Sequence, residues 1–169
     1  MAVATVLYTG PTLITISPAG LATSTTFLAG RESNENDNTA LKFFDANLQG
    51  FVTTGTTPTV GKTIAIYVWG SHTSLVTTAR DVLDGADSAE TITSENVRAG
   101  FVKLAVGVQV DATSDRKYEF GPVSVAAALG LATLPKYWGV FMAHDTVAAL
   151  NATAGNHEMR FVGIKYDLT

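Results

Sequence analysis

The sequence contains no cysteine, and this absence removes several kinds of chemistry. Without cysteine there is no disulfide framework, no thiolate metal site and no catalytic thiol. Charged residues are also scarce, at 15% of the 169 residues, where an average soluble domain has about 25%. A surface short of charge lacks the repulsion that keeps concentrated proteins apart. The composition therefore suits a protein that is pressed against copies of itself or against a partner.

The basic residues, 11 Lys and Arg in total, are scattered along the chain and not clustered. A nucleic-acid-binding protein carries a basic patch, so we expect no nucleic-acid partner. No apolar run approaches the ~20 residues that a membrane span needs, so we expect no membrane partner. The length is that of roughly one domain with a sizeable core.

The N-terminal segment MAVATVLYTGPTLITISPAG is apolar but differs from a secretory signal peptide. It has no basic region at its start, and Pro11 and Pro18 interrupt the apolar stretch. Proline cannot donate to a β-ladder, which confines such a segment to an edge strand or a reaching tail. We expect residues 1–30 to form an extended N-terminal arm of the mature protein.

The pattern of the remaining chain predicts short strands separated by turns. Residues 62–70 and 137–143 are apolar on both faces, as central strands covered on both sides are. Residues 102–110 alternate strictly between two faces, with valines and Leu104 on one of them. Strands are expected at 40–54, 62–70, 101–110, 118–120, 137–143 and 158–168.

With the extended N-terminal segment included, the whole chain has about eight short strands, and this count predicts an all-β fold. An antiparallel β-sandwich of the jelly-roll type is the first choice, and a barrel of six to eight strands is the alternative. At most one short helix is expected, at 123–129, where Gly130 would end it. The polar stretch 30–38 is expected to be a loop. The organisation is therefore an arm at 1–30 followed by a single sandwich domain at 31–169.

The segment Gly55–Thr63, GTTPTVGKT, approaches the phosphate-binding loop pattern without matching it. Five residues separate its two glycines where the pattern has four, and Pro58 removes one amide. The segment also precedes a strand and not a helix. It is expected to be a turn.

The three histidines do not form a recognisable catalytic or metal site. His72, His144 and His157 lack the spacing by which one element presents two ligands. His144 and Asp145 could form a base and its orienting carboxylate, but the chain has no G-x-S-x-G nucleophile elbow. We expect no enzyme activity, no metal and no cofactor.

Two further groups of residues are candidate binding sites. Asp81, Asp84, Asp87 and Glu90 do not follow the 12-residue calcium loop, so a solvated turn is expected. The aromatic residues, Trp69 and Trp138 among them, could stack on sugars, but their place within apolar strands favours the core.

The N-terminal arm is the candidate contact surface. An apolar segment of this kind can pair with the edge of a neighbour's sheet through main-chain hydrogen bonds, which also covers an edge that invites aggregation. The residues expected to contact a capsid or another subunit are Val3, Val6, Leu7, Tyr8, Leu13, Ile14 and Ile16.

Two segments carry a resemblance to a known family. TGTTPTVGKTIAIYVWGS (54–71), preceded by SNENDNT (33–39), and LPKYWGVFMAHDTVAALNATAGNHE (134–158) resemble small structural proteins from the virion gene clusters of tailed bacteriophages. With the closing strand FVGIKYDLT the resemblance covers residues 33–169. It implies a virion component that decorates or cements the capsid shell, and it assigns no functional residues.

The leading expectation is thus a non-enzymatic capsid decoration or cement protein. Its partners would be the major capsid protein and copies of itself in a homo-oligomer, and its location the virion, after assembly in the host cytoplasm. A tail or head-fibre module is the first alternative. A carbohydrate-binding module that uses Trp69 or Trp138 is the alternative of another class.

Overall fold

The computed structural model describes residues 4–168, and within them it contains eleven β-strands and two short α-helices. The strands are β1 (Ala4–Tyr8), β2 (Thr12–Leu13), β3 (Ala29–Glu32), β4 (Asn36–Asp37), β5 (Asp45–Thr53), β6 (Thr63–Ser71), β7 (Ala89–Thr91), β8 (Val102–Gln109), β9 (Lys117–Ser124), β10 (Tyr137–His144) and β11 (Glu158–Leu168). The helices are α1 (Glu95–Phe101) and α2 (Val125–Ala128), and a 3₁₀ turn covers Ala154–Asn156.

The strands form two antiparallel sheets. The first has the order β1-β11-β5-β9, with β2 also paired to β11, and the second has the order β7-β3-β10-β6-β8, with β4 beside β10. Setting aside the short β2, β4 and β7, we number the other strands one to eight in chain order. The sheets then run 1-8-3-6 and 2-7-4-5, which is the arrangement of a jelly roll. The predicted all-β sandwich is confirmed.

The main core lies between the two sheets. Leu48 and Val52 of β5 pack with alternate residues of β6 and β10, and Trp138 meets Phe161 of β11 edge to face at 5.0 Å between ring centroids. The remaining core side chains of the central strands are Ile64, Ile66, Val68, Val140, Met142 and Met159. Burial of this apolar area is the largest favourable term in the stability of the sandwich.

A second core covers the outer face of the second sheet. Here Trp69 and Phe141 pack under the segment between β6 and β8, which contributes Leu75, Leu83 and Ile92. Gly139 lets the indole ring lie directly on β10, since a Cβ there would stand 2.5 Å from the Trp69 ring. Strands β6 and β10 are therefore buried on both faces, as their sequences predict.

The sequence predicts one of the two helices. α2 lies within the predicted 123–129, with Ser124 accepting from the Ala127 N–H at its start and Gly130 in the left-handed region just after it. α1 was not predicted. It is short and exposed. The sequence feature that indicates it is the N-cap residue Ser94, whose hydroxyl accepts from the Val97 N–H.

The expectation of a loop at 30–38 is wrong in part, because β3 and β4 fall within it. Glu32 and Ser33 are fully buried even though the segment is polar. The main-chain amides of Asp84 and Gly85 donate to the Glu32 carboxyl, and Ser33 exchanges hydrogen bonds with Val140. Partners supplied from distant parts of the chain thus replace the water that these groups lose.

The described part of the N-terminal segment is extended, and it lies on the sandwich. β1 pairs with β11 from Tyr8↔Ile164 to Ala4↔Leu168, and β2 pairs with β11 at Arg160 and Phe161. Ile14 is buried in the main core, and Ala29 and Gly30 already belong to β3. The segment expected as a separate arm therefore supplies the first strand of the jelly roll and the start of the second. Among the described residues, no helix is long and apolar enough to cross a membrane.

Replacing Leu48 by alanine should lower the free energy of unfolding by about 2–5 kcal/mol, because the change leaves a cavity in the main core. Leu48 is 0% exposed. Leu104→Ala is the matched control, since Leu104 is 55% exposed on β8, and it should cost less than about 0.5 kcal/mol. Urea denaturation of both variants measures the difference, and equal losses would contradict the assignment of the core.

Candidate interaction surface

The most unusual surface of the molecule is a two-stranded ribbon formed by β1 and the C-terminal half of β11. β5 pairs with β11 only as far as Ile164, whereas β1 pairs with it from Ile164 to Leu168. The ribbon, residues 4–8 with 164–168, therefore projects past the neighbouring strand. A two-stranded ribbon is marginally stable in water by itself, so this segment depends on contacts beyond its own hydrogen bonds.

A stacking contact within the chain supports the ribbon. The ring of Tyr166 stacks on Phe44, with 4.7 Å between the ring centroids. The junction with the sandwich is fixed by Thr9, whose N–H donates to the Gly163 carbonyl while its hydroxyl accepts from the Gly163 N–H, both at 2.9 Å. The ribbon thus leaves the sandwich in a defined direction.

Both faces of the ribbon carry exposed apolar side chains. Register places Val6 opposite Tyr166 on one face, beside Tyr8, and these side chains are 50%, 63% and 62% exposed. The other face carries Leu7 opposite Lys165, and Thr5 opposite Asp167. Exposed apolar side chains gathered on one element make the ribbon a candidate contact surface.

The structure separates the residues predicted as contacts into three groups. Val6, Leu7, Tyr8 and Leu13 are exposed on β1 and β2. Ile14 lies in the main core and Ile16 is half-buried against it, so a partner does not reach Ile14. Val3 lies outside the described residues. Sequence reasoning missed Tyr166 and Phe44, because a closing strand of alternating apolar residues resembles a core strand along its whole length.

The buried histidines have structural partners. His144 is fully buried, and its ring nitrogens contact the Thr146 hydroxyl and the Leu21 carbonyl, each at 2.9 Å. Asp145 accepts from Lys62 and from the Thr63 N–H instead of orienting the imidazole. Burial lowers the pKa of His144 and that of His157. Both rings are therefore buried in the neutral form.

The acidic segment 81–90 is tied to the fold by hydrogen bonds. Asp87 accepts from Ser17 and pairs with Arg31 at 2.6 Å, and Asp81 accepts from the main chain and hydroxyl of Thr93. Glu35 accepts from the Ser74 hydroxyl and the Leu75 N–H, each at 2.7 Å. Within residues 4–168 no group of three or more acidic or histidine side chains is placed to hold a metal ion.

Among the acidic side chains of residues 4–168, Glu32 has the pKa that departs furthest from its ordinary value. Burial raises the pKa of its carboxyl to about 8, against the opposing effect of the amides of Asp84 and Gly85, and the nearby charges of Asp84 and Glu90 add to the increase. The carboxyl therefore keeps its proton at neutral pH. It anchors the 84–85 turn to β3.

Residues 54–62, which contain the two glycines of the loop-like pattern, and the two tryptophans have structural roles. Residues 54–62 form the connection that enters β6, so the segment has no helix N-terminus at which to hold a phosphate. Trp69 and Trp138 are both buried in the cores, and neither presents a ring face on which a sugar could stack.

A shallow cleft of about 380 Å³ lies on the first sheet, where β5, β9 and β11 meet. Its charged groups neutralise one another, since Arg160 holds Glu158 at 2.7 and 3.0 Å and Lys117 pairs with Glu119 at 3.1 Å. Its lining contains neither serine nor histidine. The cleft therefore lacks a side-chain nucleophile with a base beside it.

Comparison with family models, with curated proteins and with solved structures gave no match to this chain.

The buried proton of Glu32 predicts a pH dependence that a glutamine variant removes. The pKa of Glu32 is 4.5 in the unfolded chain and about 8 in the folded protein, so between these pH values the folded protein keeps a proton that the unfolded chain releases. The stability that comes from the neutral carboxyl is fully present below pH 4.5. As the pH rises from 4.5 to about 8, the free energy of unfolding falls by at most about 1.4 kcal/mol per pH unit. Urea denaturation from pH 5 to pH 8 should show the wild type losing stability relative to Glu32→Gln.

The histidine contributions are common to both proteins and cancel in this difference. Leu104→Ala, which changes an exposed residue of β8 and no titratable group, is the control: its stability difference from the wild type should stay constant between pH 5 and pH 8. A difference between wild type and Glu32→Gln that stays constant with pH would show that Glu32 is ionised in the folded protein.

Proposed function

We propose that this chain is a non-enzymatic structural protein of a tailed-bacteriophage virion that decorates or cements the mature capsid shell. The observation that carries the proposal is the ribbon of β1 and β11, which presents apolar side chains on both faces and has no charged residue in β1. The resemblance of residues 33–169 to virion structural proteins gives the setting in which such a surface is covered. The partners are the major capsid protein and copies of this chain.

The chemistry of the ribbon suits attachment to a repeating lattice. Contacts made by its exposed apolar side chains and by the main chain of β1 would depend little on ionic strength. Each contact is small, but a subunit held at several identical sites gains affinity because its later contacts form at high effective concentration. The jelly roll supports the proposal only by analogy, since this fold serves viral capsids and lectins alike.

The composition is consistent with a location in the virion. A particle assembled in the host cytoplasm must survive outside the cell. Because this chain has no cysteine, its stability does not change between the reducing cytoplasm and the oxidising exterior through disulfide formation. Scarce charge would favour self-association in a free protein. In a protein fixed to a shell, the low-charge surfaces are covered instead.

Counting copies in purified virions tests the proposal. Quantitative mass spectrometry of particles from the phage that encodes this chain should find it in numbers comparable to those of capsid subunits. A few to a dozen copies per particle would place it on the tail or a head fibre and overturn the capsid assignment. Its absence from purified particles would overturn the virion assignment altogether.

Charges introduced on the ribbon should abolish attachment without unfolding the sandwich. The variant Val6→Asp/Tyr8→Asp should lower occupancy on shells that lack this protein roughly tenfold or more, because every repeated contact is weakened. The matched control is Val60→Asp/Val76→Asp, at two valines that are each 69% exposed in loops. Circular dichroism should show both variants folded. Equal occupancy of the two variants would mean that the ribbon is not the attachment surface.

A further inference from the structure

The hydrogen bonds at the junction with the sandwich show which residues of β1 direct their main-chain groups to the free edge of the ribbon. Thr9 donates to the Gly163 carbonyl, and the Ile164 carbonyl accepts from Phe44 on the other side of β11. In an antiparallel ladder the residues that exchange main-chain hydrogen bonds alternate with those that do not. Thr5 and Leu7 therefore bond to β11, and Ala4, Val6 and Tyr8 direct their N–H and C=O groups to the open edge.

This set of outward groups is symmetric about Val6. If a second copy lies antiparallel along the edge, a two-fold axis at Val6 pairs Val6 with its own counterpart and pairs Ala4 with Tyr8. Each of these is a pair that exchanges both N–H···O=C bonds. Every outward main-chain group of Ala4, Val6 and Tyr8 then finds a partner.

The side chains fit the same axis. The large ring of Tyr8 stands opposite the methyl group of Ala4, so the two tyrosines do not collide. Thr5 stands opposite Leu7 on the other face. No like charges face each other across the axis, since β1 contains no charged residue.

The edge strand on the far side of the first sheet and those on both sides of the second sheet carry charged residues, and β1 does not. β9 carries Lys117 and Glu119, β8 carries Lys103, and β7 carries Glu90. Charged residues on edge strands are the usual defence against pairing between copies. All the residues of β1 are exposed, and none is charged.

The geometry points to a second copy of this chain as the occupant of the β1 edge. The two copies pair β1 to β1 in antiparallel fashion about a two-fold axis at Val6, and their first sheets join into one continuous sheet. This inference rests on the proposed function only in assigning assembly to the ribbon. It specifies the partner and the register of the contact.

Because the chain has no cysteine, engineered cysteines report the register directly. Across the axis the Cα atoms of the Val6 pair are about 5.5 Å apart, within the roughly 4.4–6.8 Å that a disulfide spans. Purified Val6→Cys should therefore form a covalent dimer under mild oxidation. Thr5→Cys should not, because its counterpart is a diagonal neighbour at roughly 7–8 Å.

A mixed experiment makes the register test sharper. Thr5→Cys and Leu7→Cys chains carrying tags of different mass should cross-link with each other, since these residues face each other across the axis. Each should fail to cross-link with itself. Cross-linking of all the cysteine variants at the same rate, or of none, would overturn the proposed pairing.

The unmodified protein gives an independent readout. Sedimentation equilibrium should show a reversible dimer for wild type and for Val60→Lys, and a monomer for Val6→Lys, which sets two like charges directly opposite each other. A wild-type monomer at all accessible concentrations would overturn the inference. If such a monomer still occupies virions and Val6→Lys lowers that occupancy, the ribbon binds another virion protein, and the proposed function stands without the dimer.

Discussion

The hydrogen-bond ladder of β11 is the constraint on which the rest of the structure depends. This strand pairs with β1 and β2 along one edge and with β5 along the other, so it connects the N-terminal strands to the rest of the first sheet. Its inward residues Met159 and Phe161 fill the core against the second sheet. Because β11 extends past the end of β5, the same ladder that closes the jelly roll also projects the ribbon.

The ribbon and the sandwich are stabilised by different physical terms. The sandwich is held by apolar burial on both faces of β6 and β10 and by the packing of Trp138 on Phe161. β1 buries none of its side chains and is held by main-chain hydrogen bonds, each of which is worth only about 0.5–1.5 kcal/mol net. A strand held in this way adds little to the stability of the fold and leaves its outer edge free for the pairing proposed above.

Much of the fold could be predicted from local patterns, and the departures have physical reasons. The central strands were predicted within a residue or two because apolar residues on both faces leave few alternatives. β3 was mistaken for a loop because Glu32 and Ser33 are polar, and the groups that satisfy them belong to Gly85 and Val140, far away in the sequence. Of the ribbon, the sequence indicated β1. It did not indicate Tyr166 and Phe44, whose exposure and stacking depend on where β5 stops pairing.

The sequence by itself determined the class of fold, the identity of the buried strands and the apolar, uncharged character of the N-terminal segment, because these follow from composition and from the two-residue period of a strand. Only the tertiary structure decided that Ile14 enters the core while Val6 and Tyr8 remain outside. That division is set by the register of β1 and β2 on β11 and by the end of β5, and these are long-range pairings that no local pattern encodes.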